Sequence, residues 1–567
     1  MSVGNPIPLN PKIHAKYRER TFSNRARIAV VIDPTIGDYP LAIMREALPD
    51  CVLFNTPFEN FENFMKNENR KLDLAVYIEK QIGSETEGTF SIQTGLYFEL
   101  PLVVVRGAGV AGAIYGVREL FEHRINKNDR GEFVLPSLEI EETPGLPYRI
   151  LWTWDHSTNW YLNQLGLQDI GAMNYYLKPR SGFLEDYKRL IDFMSKNRIS
   201  AVTIYGFLRD NHGGVEAAKE LCEYASKRGV RIMPGVGINA YGGVYWEGES
   251  PYNLSNWLKK NPQLRAKLGT RAAFHIPDIP EIWFPENQYT DAACPSKPEN
   301  ATFHEEAIAW LSETFNIGGI NFETGDYGTC QCDECTARRK ENTTWSFSDM
   351  ALLYPRLFNA AKHSGRDLWL IVEAYWDTIL DARSLAPLST LPDEAIYQYC
   401  VNRSYWPRIQ HELTKEYVET LPRTKNIFRT HMGSQWNGER YSLVADRFAS
   451  MASIAYRTGI RGMTIFGEVS SLSPANEINY LAFSKFSWNP RMSWDDFIKS
   501  DLTPMLGGRP EALKFLEFLG IEEDHIALSR AIDEAREISR LAHGEVYRRW
   551  VHLQNTLYMK LEMLNRI

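Results

Sequence analysis

Residues Gly318–Cys335, GGINFETGDYGTCQCDEC, place three kinds of chemistry in one short stretch. An apolar run (Ile317, Ile320, Phe322) has the composition of a buried strand, and Glu323 and Asp326 appear where that strand should end. Cys330, Cys332 and Cys335 follow, three thiols too close in sequence to be scattered core residues. Two acids at a strand end can protonate a leaving group and activate water or act as nucleophile. Three thiolates plus Cys294, in the segment DAACPSKPE, match the ligand set of a closed, structural zinc site. Reduced thiols without metal are the plainer reading of the same spacing. No catalytic cofactor is implied by either.

The elements that must position these groups can be counted. From Pro147 onward, short apolar runs alternate with helical segments. The runs are Tyr148–Trp154, Ile199–Tyr205, Arg231–Ile238, Gly318–Phe322, Asp367–Ala374, Ala395–Val401, Asn426–His431 and Gly462–Phe466. Eight such repeats predict a (β/α)8 TIM barrel over 145–490. It is preceded by an α+β domain over 1–144 and followed by a C-terminal helical region over 491–567. The fold class is therefore α/β. The long connection after the third strand, about 239–302, is an insertion of the kind that carries function. Gly107-x-Gly109 lacks the third glycine of a dinucleotide fingerprint.

A barrel of this kind works at the C-terminal ends of its strands. That rule delivers Trp154 and Asp155 from the first strand, Tyr205 and Arg209 from the second, and Asn239 and Tyr241 from the third. The fourth supplies Glu323 and Asp326, and the fifth Glu373 and Trp376. The last three supply Arg403 and Trp406, then His431 and Trp436, then Glu468. Acids and aromatic rings dominate, with no nucleophile elbow, phosphate cradle or HExxH pair. Such a face suits glycosidic bond cleavage, with Glu323, Asp326 and Glu373 as catalytic candidates and the others as substrate contacts. Two arrangements fit. Glu323 and Glu373 can face each other across a water, giving inversion. Alternatively Glu323 and Asp326 act from one loop on a substrate whose acetamido group is the nucleophile. Each acid also has a structural reading, Glu373 as an ion pair with Arg403. A carbohydrate-binding barrel without catalysis, and a metal-dependent lyase or isomerase using His431, are further alternatives.

The 567 residues carry a net charge of -8, which disfavours nucleic acid and anionic membranes as partners. Aromatic content of 12% is compatible with sugar stacking as well as with a large core. No apolar run is long enough to span a bilayer, and the first residues lack a signal-peptide pattern. With seven cysteines, an odd count, the expectation is a cytoplasmic protein with reduced thiols. The mixed-charge helices after Glu522 suit either a cap on the barrel or a homodimer contact.

The segment GAIYGVRELFEH, followed by GLPYRILWTWD, resembles the N-terminal domain and first barrel strand of glycoside hydrolases related to β-hexosaminidases and α-glucuronidases. CPSKPE with GDYGTCQCDEC resembles barrels related to endo-β-N-acetylglucosaminidases, and NYLAFSKFSWNP is similar to the end of these barrels. The resemblance runs from about Arg27 to Gly507 and implies a glycoside hydrolase, with N-acetylhexosaminides the leading substrate class and uronosides the alternative. Family-20 hexosaminidases carry adjacent Asp-Glu after the fourth strand, whereas this chain has Glu323-Thr-Gly-Asp326. For a uronate, Arg209 and Arg403 are the available cations.

Overall fold

The computed structural model describes residues 13–56, 71–81, 86–155, 158–159, 180–267, 292–323, 330–339, 347–374, 379–380, 385–421, 425–431, 442–466, 469–470 and 474–565. The chain divides into two compact units. The first comprises Met1–Pro147 with Met194–Ser200 and Ser226–Val230. Its six-stranded sheet has the order Val52–Thr56, Arg27–Ile32, Leu74–Gln81, Leu100–Ala108, Phe90–Tyr97, Glu139–Glu142. The first four strands are parallel, and Phe90–Tyr97 runs antiparallel to both of its neighbours. Ala29, Val31, Ala75, Tyr77, Leu102 and Val104 form part of its core. Gly107 belongs to this packing: a Cβ there would overlap the backbone of Gly112 and Ala113. Close backbone approach therefore accounts for Gly107, and a left-handed φ of 71° for Gly109.

The second unit holds the closed barrel of eight parallel strands. They are β1 (Tyr148–Trp154), β2 (Ala201–Tyr205), β3 (Arg231–Gly237), β4 (Gly319–Glu323), β5 (Trp369–Ala374), β6 (Ile396–Val401), β7 (Lys425–Thr430) and β8 (Gly462–Phe466). All eight predicted strands are present, shifted at their ends by no more than two residues. Most strand residues are buried on both faces, so the runs read as continuous apolar sequence rather than alternation. Tyr148, Ile150, Ala201, Met233, Trp369, Ile371, Ile396 and Ile427 pack together as an apolar plug.

The insertion after β3 has a small core of its own, with Leu254, Leu258, Leu264, Ala293 and Phe303 around Trp257. After β8 the chain is helical, from Pro474–Trp488 to the long pair His525–Leu541 and Gly544–Leu564. Trp550 anchors the last helix. It is fully buried between Phe515 and Phe518 and donates its indole N–H to the Leu506 carbonyl at 3.0 Å.

His304, on helix Pro298–Thr314, is buried, and its Nε2 has no hydrogen-bond partner among the described residues. Burial lowers its pKa to about 3, whereas an unfolded histidine titrates near about 6.5. The unfolded chain therefore takes up the proton first as pH falls. The stability is complete above the unfolded pKa and is lost on acidification, by up to about 1.4 kcal/mol per pH unit. Urea unfolding of His304→Leu should show an acid limb flatter by about one proton than the wild type. An unchanged slope would assign the acid sensitivity to other groups.

Candidate active site

Strands buried on both faces should be apolar throughout, yet each of several barrel strands carries one polar residue facing inward. These residues meet at Glu373 of β5, 1% exposed. Its Oε1 accepts from Trp152 Nε1 (2.9 Å), Asn321 Nδ2 (2.9 Å), Gln398 Nε2 (3.2 Å) and the Tyr205 hydroxyl (3.2 Å). Its Oε2 pairs with the Arg429 guanidinium, which also lies over the Trp152 ring. Thr464 donates to Gln398 Oε1 at 2.7 Å. Donors from β1, β2, β4, β6 and β7 thus converge on one carboxylate, and β8 joins through Gln398. β3 contributes space instead. A Cβ on Gly235 would overlap the Tyr205 ring, so glycine there lets the phenol lie across the barrel.

Glu323, the last residue of β4, is 3% exposed and sits beside this ring. The Tyr205 hydroxyl donates to Glu373, and the Glu323 carboxylate lies close enough to act on the same phenol. Burial first, then the charges of Glu323 and Glu373, raise the phenol far above its usual pKa, so it remains a donor at every accessible pH. One phenol therefore bridges the two candidate acids. This corrects one expectation: Glu373 is paired with Arg429 rather than Arg403. Tyr205 is fully buried and supports the acids instead of forming an open sugar platform.

The wall of the mouth is aromatic. Trp154, at the end of β1, packs edge-on to Trp246 (5.5 Å) and Tyr241 (6.3 Å). Tyr241 and Trp246 stack in parallel at 5.6 Å, and Trp246 donates Nε1 to the Gly235 carbonyl at 3.2 Å. Tyr241 and Trp246 both keep partial exposure. Tyr241 holds a left-handed φ of 54°, strain of the kind found where a side chain is aimed at a ligand. Asn239, buried nearby, accepts the Ala293 N–H on its backbone carbonyl at 2.7 Å. His431 follows β7, with Nε2 3.1 Å from Arg429 Nη2. Burial, then the Arg429 charge, keep its pKa well below the usual value, so the ring is neutral.

Asp155 and Arg209 form a separate cluster. Asp155 Oδ2 lies 2.8 Å from Arg209 Nε and 3.2 Å from His212 Nε2, and Arg209 reaches Glu247 at 2.9 Å. Gly206, at φ 79°, leaves room for the Asp155 carboxylate. Arg209 is thus matched by two acids. Trp406 is 6% exposed and packs on Phe428, whose neighbours Ile427 and Arg429 face the barrel interior. It belongs to the outer layer, which corrects its place among the substrate contacts. Arg403 is exposed. Asp326, Trp376, Trp436 and Glu468 lie outside the described residues.

All four predicted cysteines come together. The sulfurs of Cys294, Cys330, Cys332 and Cys335 lie within 4.8 Å of one another, the one group with metal-ligand spacing among the described residues. Hydrogen bonding with Cys294 and Cys335 lowers the Cys330 pKa. Sequence reasoning missed Asn321, Gln398, Arg429 and Thr464, although a polar residue within a doubly buried strand is itself a signal. Trp246, Glu247 and His212, in the connections after β2 and β3, had no comparable signal.

No family model and no curated protein matches the sequence. Solved structures do. The chain is similar to a family-20 chitobiase of Flavobacterium johnsoniae, at 14% identity over 93% of this chain and 75% of that one, with a TM-score of 0.52. It is similar to a family-20 exo-β-N-acetylglucosaminidase of Vibrio harveyi, at 10% identity over 89% and 76%, with a TM-score of 0.50. A family-138 glycoside hydrolase enzyme targeting pectin rhamnogalacturonan II aligns at 12% identity over 95% and 69%, with a TM-score of 0.57. At these identities the likeness is one of fold.

The buried ion pair makes a measurable claim. Arg429→Met leaves the Glu373 charge uncompensated and should cost about 3–5 kcal/mol in urea unfolding of the barrel. Glu373→Gln added to that variant should recover a large part, because a neutral amide needs no counter-charge. Strictly additive losses would show that the two groups are not energetically coupled.

Proposed function

We propose that the chain is a glycoside hydrolase acting on N-acetylhexosaminides. The observation that carries this reading is Glu323, a carboxyl at the end of β4, withdrawn from bulk water, held by Tyr205 and set beside the aromatic wall of Trp154, Trp246 and Tyr241. An acid so placed can hand a proton to the glycosidic oxygen while flat rings receive the sugar. The fold likeness to a chitobiase and an exo-β-N-acetylglucosaminidase supports the substrate class.

Glu323 serves as general acid in this proposal. Asp326, three residues on, orients the acetamido group that attacks the anomeric carbon; this part rests on sequence spacing. Glu373 is a positioning residue. Its oxygens are taken by five donors, so it fixes Tyr205, and Tyr205 fixes Glu323. Carboxylate catalysis of this type asks for no cofactor, and the cysteine cluster has a structural part only.

Uronosides form the second reading, favoured by the exposure of Arg403 and weakened by the commitment of Arg209 to Asp155 and Glu247. Seven free cysteines support a cytoplasmic location, and no described helix is long and apolar enough to cross a membrane. Exposed Ile526, Leu541, Met559 and Met563 on the last two helices support a homodimer.

A panel of aryl N-acetylhexosaminides and aryl glucuronides tests the reading. Turnover on one sugar is expected. Glu323→Gln should lower kcat by about 10²–10⁴-fold on poor leaving groups, and by much less on activated ones that need no proton. A loss independent of leaving group would remove Glu323 from the acid role. Silence of the wild type across the panel would favour a non-catalytic carbohydrate-binding barrel.

A further inference from the structure

The four cysteines take no part in the hydrolytic scheme, and their geometry is specific. Cys294 Sγ lies 3.6 Å from Cys330 Sγ and 3.8 Å from the sulfurs of Cys332 and Cys335. Zinc bonded tetrahedrally to sulfur at about 2.3 Å separates its ligands by about 3.8 Å. Three edges of that tetrahedron are therefore already present. All four thiols are free, and all but the partly exposed Cys332 are buried. A separation of 4.8 Å at most leaves room for one ion and none for a polynuclear cluster.

The surroundings suit a tetrathiolate. Four thiolates around a dication leave two excess negative charges, which N–H donors to sulfur offset. The Lys267 N–H donates to Cys330 Sγ at 3.3 Å, and Arg338 Nη2 to Cys335 Sγ at 3.4 Å. The Ser296 hydroxyl lies 2.9 Å from Cys335 Sγ. Arg338 is held in turn by Ser296 and by Asp349 on helix Phe347–Lys362.

We propose that Cys294, Cys330, Cys332 and Cys335 bind one zinc ion in a closed site, and that this ion fastens the chain leaving β3 to the chain leaving β4. The segments involved are already in register. The Cys294 N–H donates to the Leu264 carbonyl at 3.0 Å, and the Gln331 N–H to the Lys267 carbonyl at 2.6 Å. Ala293 bonds the backbone of Asn239, just beyond β3. Cys330 stands seven residues after Glu323. The ion thus braces the far side of the loop that begins at Glu323. That last consequence rests on the hydrolytic reading; zinc binding does not.

The test uses the full chain purified from zinc-supplemented culture, with metal measured by elemental mass spectrometry. One zinc per chain is expected in the wild type, and a substoichiometric amount in Cys294→Ser and Cys330→Ser. Exchange with Co²⁺ should give the intense sulfur-to-metal charge-transfer bands of a tetrahedral tetrathiolate. If the serine variants do not accumulate in soluble form, mercurial titration of the wild type should release one zinc per four thiols modified, followed with a chromophoric chelator. Absence of metal, iron in place of zinc, or full zinc retention in both variants would overturn the assignment. Zinc content is read without substrate, so its failure is distinct from failure of the glycosidase panel.

Discussion

A charge buried in a barrel core has to be answered from all sides. Glu373 lies where water cannot reach it, and desolvating a carboxylate costs several kcal/mol unless donors and a counter-charge replace the solvent. Here the replacement is assembled from β1, β2, β4, β6 and β7, with one side chain from each. The same interaction sets the relative rotation of those strands, because a side chain reaches the carboxylate only if its strand is in register. Closure of the barrel and construction of the site are thus one event.

The phenol of Tyr205 carries this order from the interior to the mouth. It accepts from Asn321 at 2.8 Å, donates to Glu373 and lies against Glu323, so its position is determined by groups on β4 and β5. Gly235 keeps the necessary space empty of side chain, and Trp246 closes over the same glycine through its carbonyl. A hydroxyl fixed in this manner orients Glu323 without lending a titratable charge at neutral pH.

Much of the scaffold was legible in the sequence, because period and burial are local properties. The eight barrel strands, the terminal helices and the gathering of Cys294 with Cys330, Cys332 and Cys335 follow from apolar runs and ligand spacing. The position of Glu323 at a strand end was readable for the same reason. What sequence did not reveal was which groups neutralise which. Arg429 and Arg403 look equivalent in sequence, and only barrel closure places the former against Glu373. Arg209 likewise reads as an open cation until Asp155 and Glu247 are seen to saturate it. Trp406 follows β6 closely enough to read as a strand-end residue, but it opens a helix and packs on Phe428.

Two of the three wall aromatics have a different origin from the acids beside them. Glu323 and Glu373 belong to barrel strands, whereas Tyr241 and Trp246 stand on the excursion that leaves β3 and has its own small core. β3 itself ends in Gly235 and Gly237, residues that offer a backbone but no chemistry. The division separates two kinds of inheritance. Changes in the excursion can reshape the aromatic face while the two glutamates and their strand register stay untouched, so the two parts can diverge along a lineage at different rates.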